Sequence, residues 1–287
     1  MQNEERESMP AMPAQVKRVL VLGAGLTGRA TAELARKAGR DVLTHVRTEE
    51  RAQGLRDAGF AVEVVPVLDG RVRDWLTPHT HVVVAFPPDG TTDALVAPHL
   101  AEAYSVAYVS STGVYGPHRG PLDDATPIPA PPSERAARIL DAEAAYRAVG
   151  ACVLRCPGIY GPSRGLHMRV VRGEHRVPGD GQNVLSRIHV QDLAQLLLAA
   201  SALRGETFVV GDLAPAPHVE VVRHIARAYG VPMPPSVPAE TLHESLRADR
   251  AVNPARALAR LGVVLRYPSY REGMPGPGPI DCAGESR

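Results

Sequence analysis

Short apolar runs alternate with segments of helical spacing along the first 155 residues of the chain. The run Arg18–Leu22 is rich in valine and leucine and ends in glycines, which predicts a buried strand. The segment Leu26–Ala38 follows with helical spacing and stops at Gly39. The pattern predicts further strands at 41–46, 61–65, 81–85, 106–110 and 151–155, with helices at 49–58, 93–103 and 133–149. Strands that alternate with helices in this way indicate an α/β fold with a doubly wound parallel sheet.

The regular alternation weakens after residue 158, which divides the chain into two unequal parts. Helical spacing reappears near 191–202, 218–229 and 254–261, between loops that contain glycine and proline. We therefore expect a core at 17–160 and a small C-terminal lobe at 161–273, with some segments of the lobe returning to the core. The polar residues 1–16 predict a flexible extension, and the glycine- and proline-rich residues 274–287 predict a disordered tail.

Composition narrows the classes of function. The formal net charge of +1 gives no electrostatic basis for binding nucleic acid, and no apolar run approaches the length of about 18 residues that a membrane span needs. The N-terminus lacks the pattern of a signal peptide, so a cytoplasmic protein is expected. Cys152 and Cys156 lie four apart on a predicted strand and are interpreted as small buried thiols, in preference to a disulfide or a metal site. No metal-ligand spacing is present, and no metal is predicted.

A glycine loop joins the first predicted strand to the first predicted helix. Gly23, Gly25 and Gly28 form a G-x-G-x-x-G pattern, in which the first permits a tight turn, the second lets backbone approach a pyrophosphate, and the third lets the helix pack closely. Leu26 and Thr27 open the helix, whose free N–H groups and partial positive charge favour phosphates. This setting predicts a dinucleotide-binding site, with a purely structural glycine turn as the alternative.

The end of the second predicted strand bears on the choice between NAD and NADP. Proteins that bind NAD place an acidic residue there, but this chain has no carboxylate before Glu49. Arg47 is placed to pair with the 2′-phosphate of NADP through its planar guanidinium group. The sequence therefore favours NADP over NAD.

Three further segments, taken in order with the glycine loop, resemble the extended short-chain dehydrogenase/reductase family. They are SSTGVYG at Ser110–Gly116, LRCPGIYGP at Leu154–Pro162 and RIHVQDLA at Arg187–Ala194. The resemblance covers about residues 17–273 and implies a Rossmann-type sheet with substrate bound between it and the C-terminal lobe. By position, Ser111 corresponds to the family's substrate-binding serine, because side chains alternate across the sheet and Ser110 would face the other way.

The tyrosine and lysine that transfer the proton in that family are missing here. The family places them at the start of the helix predicted at 133–149, where this chain has Ser133 and, four residues on, Ala137. The two lysines, Lys17 and Lys37, are expected at the edge of the sheet opposite the strand ends that bind ligands. The pattern resembles the atypical subgroup of extended short-chain dehydrogenases, the NAD-dependent epimerase/dehydratase-like proteins that lack the pair.

Other polar residues near the expected pocket are candidates for the missing chemistry. Tyr115 and His118 join Ser111 as candidate catalytic residues, since a histidine titrates near neutrality, although packing and surface roles stay open for both. Candidate substrate-pocket residues are Tyr160, His189 and Arg135, the last as a fixed positive charge. The resemblance also places Phe86 and Pro87, after the fourth strand, against the cofactor.

The sequence thus predicts an NAD(P)-dependent oxidoreductase or epimerase-like enzyme that acts on a small metabolite with non-standard acid and base residues. Two alternatives stay open: a protein that binds NAD(P)H without turnover, as a sensor or structural partner, and an isomerase or lyase that uses the same pocket without net redox change. The helix at 133–149 is a candidate homodimer contact, because the resemblance implies one there.

Overall fold

One parallel sheet of seven strands forms the centre of the protein. The computed structural model describes residues 12–243 and 246–276. The strands of the sheet are β1 (Arg18–Leu22), β2 (Asp41–Val46), β3 (Ala61–Val64), β4 (Thr80–Val84), β5 (Ser105–Ser111), β7 (Cys152–Cys156) and β12 (Thr207–Val209). They lie in the order β12-β7-β5-β4-β1-β2-β3, so the chain winds outward in both directions from β1 and β4. The predicted doubly wound α/β fold is confirmed.

Helices cover both faces of this sheet. They are α1 (Leu26–Lys37), α2 (Glu49–Asp57), α3 (Thr92–Val96), α4 (Glu134–Ala148), α6 (Val190–Ala199) and α8 (Ala255–Leu261). The helices α5 (Leu166–Val171), α7 (His218–Tyr229) and α9 (Tyr270–Gly273) pack in the C-terminal lobe instead. Side chains of β1 alternate between two cores: Val19 and Val21 pack with α1 and α6, whereas Leu20 and Leu22 pack with residues of α4. β1 is therefore apolar on both faces, as a central parallel strand must be.

Short paired strands attach the C-terminal lobe to the core. β6 (Arg119–Leu122) pairs in this way with β15 (Asp249–Val252), and β8 (Gly158–Tyr160) with β11 (Arg187–His189). Within the lobe, β9 (Val177–Pro178) pairs with β14 (Ser236–Val237), and β10 (Val184–Leu185) with β13 (Ala216–Pro217). A separate apolar cluster that includes Tyr160, Val221 and Tyr270 fills the lobe. The lobe thus lies over the carboxyl ends of β5 and β7, where the chain continues into β6 and β8.

Some helices and strands end at other residues than the sequence pattern predicts. The helix predicted at 93–103 is α-helical only over Thr92–Val96 and continues as a 3₁₀ helix over Ala97–Glu102, because Pro98 cannot donate an α-helical hydrogen bond. β12 was not among the predicted strands, since a run of three residues carries little periodicity.

Each of the two predicted terminal segments contains a buried residue within the part that the structure describes. Val16 is fully buried in the main core and Met274 is buried in the lobe. The remainder of both segments, 1–11 and 277–287, lies outside the described residues. Within residues 12–243 and 246–276, no helix is both long and apolar enough to cross a membrane.

The buried His81 on β4 predicts a loss of stability in mild acid. Burial lowers the pKa of His81 to about 4, although hydrogen bonds to Leu197 and Ser105 favour its charged form. The folded state therefore leaves this ring neutral at pH 5, whereas the unfolded chain protonates it below its ordinary value of 6.5. His81 alone is expected to remove about 2 kcal/mol of stability between pH 7 and pH 5. The free energy of unfolding, measured with urea at pH 7 and at pH 5, should change less between the two pH values for His81→Gln than for the wild type. An equal change in both proteins would contradict this assignment.

Candidate functional site

Packing explains two of the three glycines in the loop after β1. Gly23 has φ of +89°, and a Cβ there would lie 2.9 Å from Cβ of Phe86. A Cβ on Gly28 would collide with the carbonyl oxygen of Gly23, so the helix can approach the strand only without a side chain. Gly25 differs from both, because its φ of −76° is ordinary and a Cβ would meet nothing within 4 Å. Nothing in the protein's own packing requires glycine at 25, and open space adjoins it.

The N-terminus of α1 faces the same open space. Gly25 is its N-cap and provides no side chain to cap it, and the first turn contains no acidic residue. The loop is held against β2, because the N–H groups of Gly23 and Ala24 donate to the carbonyl oxygen of His45 at 3.2 and 2.9 Å. Leu26 and Thr27 lie in the first turn, where amide groups have no helical acceptors. This arrangement fits a phosphate-bearing ligand.

The end of β2 is followed by an arginine, Arg47, and not by an acidic residue. Arg47 directly follows the strand and is exposed. Glu49, the first acidic residue beyond it, accepts a hydrogen bond from Arg56.

Two residues after β4 were predicted to lie against the cofactor. Phe86 is half-buried beside Gly23, and Pro87 is exposed.

A cavity of about 370 Å³ lies between the carboxyl ends of β5 and β7 and the C-terminal lobe. Ser111 lines it, and its Oγ accepts a hydrogen bond from the N–H of Gly113 at 3.0 Å. Ser110 faces the opposite side of the sheet and donates to Glu143 at 2.6 Å. Ser133 lines the same cavity and caps α4 by accepting from the N–H of Ala136 at 3.2 Å.

Tyr115 and His118 lie outside this cavity. Tyr115 is fully buried, and its hydroxyl accepts a hydrogen bond from Nη1 of Arg155 at 3.0 Å. His118 is half-buried, with Nε2 2.8 Å from the carbonyl oxygen of Pro121. The structure therefore does not bring these two candidates together with Ser111, and their placement matches the packing and surface roles that the sequence left open.

The three predicted pocket residues have different positions. Tyr160 is buried and lines the cavity, with its ring edge-on to His189 at a centroid distance of 5.1 Å. His189 does not line the cavity; its Nδ1 caps α6 by accepting from the N–H of Gln191 at 3.2 Å, and burial lowers its pKa to about 4. Arg135 is exposed and lines the cavity.

A buried ionic cluster behind the cavity was not predicted. Glu143 on α4 accepts hydrogen bonds from Ser110 of β5 and, at 2.9 and 2.7 Å, from Arg155 of β7. Arg147 also donates to it at 2.9 Å. Burial raises the pKa of Glu143, but the hydrogen bonds from Arg155 and Ser110 outweigh that effect and lower it overall. The cluster fixes α4, and with it Ser133, relative to the two strands that border the cavity.

Cys152 and Cys156 are both buried free thiols, as predicted. Cys156 is among the residues that line the cavity. Across the described parts of the chain, no three His, Cys, Asp or Glu side chains are grouped so as to hold a metal ion.

Solved structures identify the fold. A functionally unknown conserved protein from Silicibacter pomeroyi DSS is similar over 90% of this chain and 96% of its own, with TM-score 0.78 and 29% identity. UDP-glucose 4-epimerase from Thermotoga maritima, with UDP-glucose, has TM-score 0.73 and 18% identity over the same shares. UDP-glucuronic acid 4-epimerase from Bacillus cereus, in complex with NAD, has TM-score 0.73 and 16% identity, again over 90% and 96%. The chain has the fold of the NAD-dependent epimerases. The resemblance to extended short-chain dehydrogenases is thereby confirmed for the fold.

Comparison of sequences finds similarity over a smaller part of the chain than comparison of structures does. No protein-family model matches the chain. A curated Streptomyces protein, 3-diazoavenalumate denitrifying reductase, is 33% identical over 139 residues, which are 42% of this chain and 45% of that protein. The match therefore spans less than half of the curated relative.

Proposed function

We propose that the protein is a nicotinamide-dinucleotide-dependent oxidoreductase that acts on a small metabolite in the cavity beside Ser111. The observation that carries the proposal is Gly25, a glycine that packing does not require, at the uncapped N-terminus of α1. That loop and Ser111 both follow carboxyl ends of parallel strands, so they lie at the edge of the sheet where ligands of such folds bind. The NAD in a structural neighbour and the reductase name of the curated relative support the same class.

The cofactor would supply the hydride, and the chain would bind and orient both reactants. Amide groups of Leu26 and Thr27, in the first turn of α1, would hold the pyrophosphate. Oγ of Ser111 already accepts a hydrogen bond from Gly113, so its own O–H is available to donate to a substrate oxygen. Such a donor stabilises the negative charge that develops on a carbonyl oxygen during reduction.

A second hydroxyl donor stands where the family has its tyrosine. Ser133 accepts from the N–H of Ala136, which leaves its O–H free to donate into the same cavity. A serine hydroxyl does not ionise near neutral pH, so Ser133 would orient the reacting oxygen and a water molecule would deliver the proton.

Ser111→Ala tests this assignment. In a substrate screen followed by absorbance of the nicotinamide, the variant is expected to lower kcat/KM about 10²–10³-fold, because one donor to the reacting oxygen is lost. NADPH affinity should stay unchanged. Ser236→Ala, an exposed serine that lines neither this cavity nor the space beside Gly25, is the matched control. Unchanged turnover in Ser111→Ala would show that Ser111 does not take part in the reaction.

NADP is proposed as the preferred cofactor, on the strength of Arg47. Arg47→Ala is expected to weaken NADPH binding about 10-fold and to leave NADH binding unchanged, because only NADPH carries the 2′-phosphate. Fluorescence titration with both nucleotides measures this. Tighter binding of NADH than of NADPH by the wild type would contradict the preference.

Binding of NAD(P)H without turnover is the second candidate, and one observation favours it. Ser133 and Ala137 occupy α4 where the family has its tyrosine and lysine, so no group of tyrosine-like acidity opens this helix. A protein that binds NADPH yet turns over no carbonyl or alcohol substrate would match this alternative.

The homodimer contact through α4 stays a prediction. The outward positions Glu134, Arg138 and Asp141 are exposed and charged.

A further inference from the structure

Two histidines in the C-terminal lobe form a hydrogen bond with each other. His175 lies just before β9, and His218 is the first residue of α7 and lines the cavity beside Ser111. Both side chains are fully buried. Their Nε2 atoms lie 2.8 Å apart, with the ring planes inclined by 30°. The bond therefore ties the N-terminal end of α7, at the cavity, to the segment that leads into β9.

This hydrogen bond limits how many protons the pair can carry. One Nε2 must donate and the other must accept, so the bond is lost when both rings are charged. Neither Nδ1 atom has a hydrogen-bond partner, and both are buried. A proton added to the pair would therefore leave a buried charged donor unpaired, which is costly. The geometry of the pair favours two neutral rings.

The charged groups around the pair also oppose protonation. Burial has the largest effect and lowers the pKa of His175 to about 3 and that of His218 to about 4. For His175, the partner ring, Arg169 on α5 and Arg176 act in the same direction. For His218, the further contributions come from Arg187 on β11 and from Arg169. Among the described residues, the charges that act on the pair are therefore all positive.

We propose that the His175–His218 pair is an acid-sensitive latch, which holds α7 in place beside the cavity at neutral pH and releases it in mild acid. When the latch opens, both rings enter water and bind protons below their ordinary pKa of 6.5, whereas the closed pair stays neutral at pH 5. The stabilisation of the closed state is complete above pH 6.5 and is lost as the pH falls. From pH 7 to pH 5, each ring shifts the equilibrium toward the open state about 20-fold, and the pair about 400-fold. The latch goes beyond the proposed function and acts with or without a cofactor.

Other buried groups of the lobe titrate in the same range. Burial raises the pKa of Asp212 to about 6, so this carboxyl gains a proton in the closed lobe and opposes opening by up to about 10-fold. Burial also lowers the pKa of His167 and of His189, which favours opening. The wild-type protein is therefore expected to open α7 at least about 40-fold more at pH 5 than at pH 7. Variants of the latch alone leave these other groups unchanged.

Hydrogen exchange of the full-length protein, followed by mass spectrometry at both pH values and corrected for the intrinsic exchange rate, measures the opening of α7. Exchange that low concentrations of urea do not accelerate identifies local opening, since global unfolding exposes far more surface. His175→Gln combined with His218→Gln replaces both rings by amides that can still hydrogen-bond to each other. The ratio of opening at pH 5 to opening at pH 7 should be about 400-fold smaller in this variant than in the wild type.

Single variants and a control complete the design. His175→Gln or His218→Gln alone should lower this ratio about 20-fold, so the test does not depend on the folding of the double variant. His224→Gln, on the same helix, should leave the ratio unchanged, because Nε2 of His224 donates to the carbonyl oxygen of Met274 at 3.0 Å and a charged ring keeps that bond. No increase in opening of the wild type at pH 5, or the same ratio in the wild type and in the latch variants that fold, would overturn the inference.

Discussion

Replacement of Arg155 by leucine is expected to lower the free energy of unfolding by about 3–5 kcal/mol. Glu143 is completely buried, and Arg155 supplies two of its hydrogen bonds from β7. Without Arg155, the buried carboxylate of Glu143 has too few hydrogen-bond donors. The free-energy penalty of this unpaired charge is larger than the net stabilisation that the intact ion pair provides. Urea unfolding of the purified variant measures the loss.

Arg147→Leu is the matched control for this prediction. Arg147 donates to the same carboxylate, but its side chain is 36% exposed. Its removal is expected to cost no more than about 1 kcal/mol, as for a surface ion pair. Leucine at both 143 and 155 should recover part of the loss, since no charge then remains unpaired. Equal losses for Arg155→Leu and Arg147→Leu would mean that the buried cluster does not hold α4 against the sheet.

Gly25→Val is expected to weaken NADPH binding by at least about 100-fold, near 3 kcal/mol, and to reduce stability by no more than about 1 kcal/mol. The valine side chain would project into the open space where the pyrophosphate would lie, yet it would meet no atom of the protein within 4 Å of its Cβ. Gly28→Ala should behave in the opposite way, because its Cβ collides with the carbonyl oxygen of Gly23 and strains the folded state. If Gly25→Val bound NADPH normally, the loop would be only a structural turn.

Most of the fold follows from local sequence patterns. β1 is apolar at every position after Arg18 because both of its faces are covered, and such a run is visible without the structure. The glycine loop is equally local, since its pattern consists of three glycines within six residues. β12 was missed because its three residues are defined by pairing with β7 and carry little pattern of their own.

The candidate site could be predicted only in part. Ser111 followed from strand alternation, which is a local rule. The direction of the Tyr115 side chain does not follow from such a rule, because Arg155, 40 residues further along the chain, donates to its hydroxyl inside the core. Arg155 stands in the short apolar strand β7, and a charged residue at such a position is the signal that could have indicated a buried ionic partner.

Titration of NADPH with the purified full-length protein, followed by nucleotide fluorescence, tests the central claim most directly. We predict a saturable increase in fluorescence, which the Gly25→Val variant loses while its circular dichroism spectrum stays that of the wild type. A folded wild-type protein that produces no change in the fluorescence of NADPH or NADH would contradict the account.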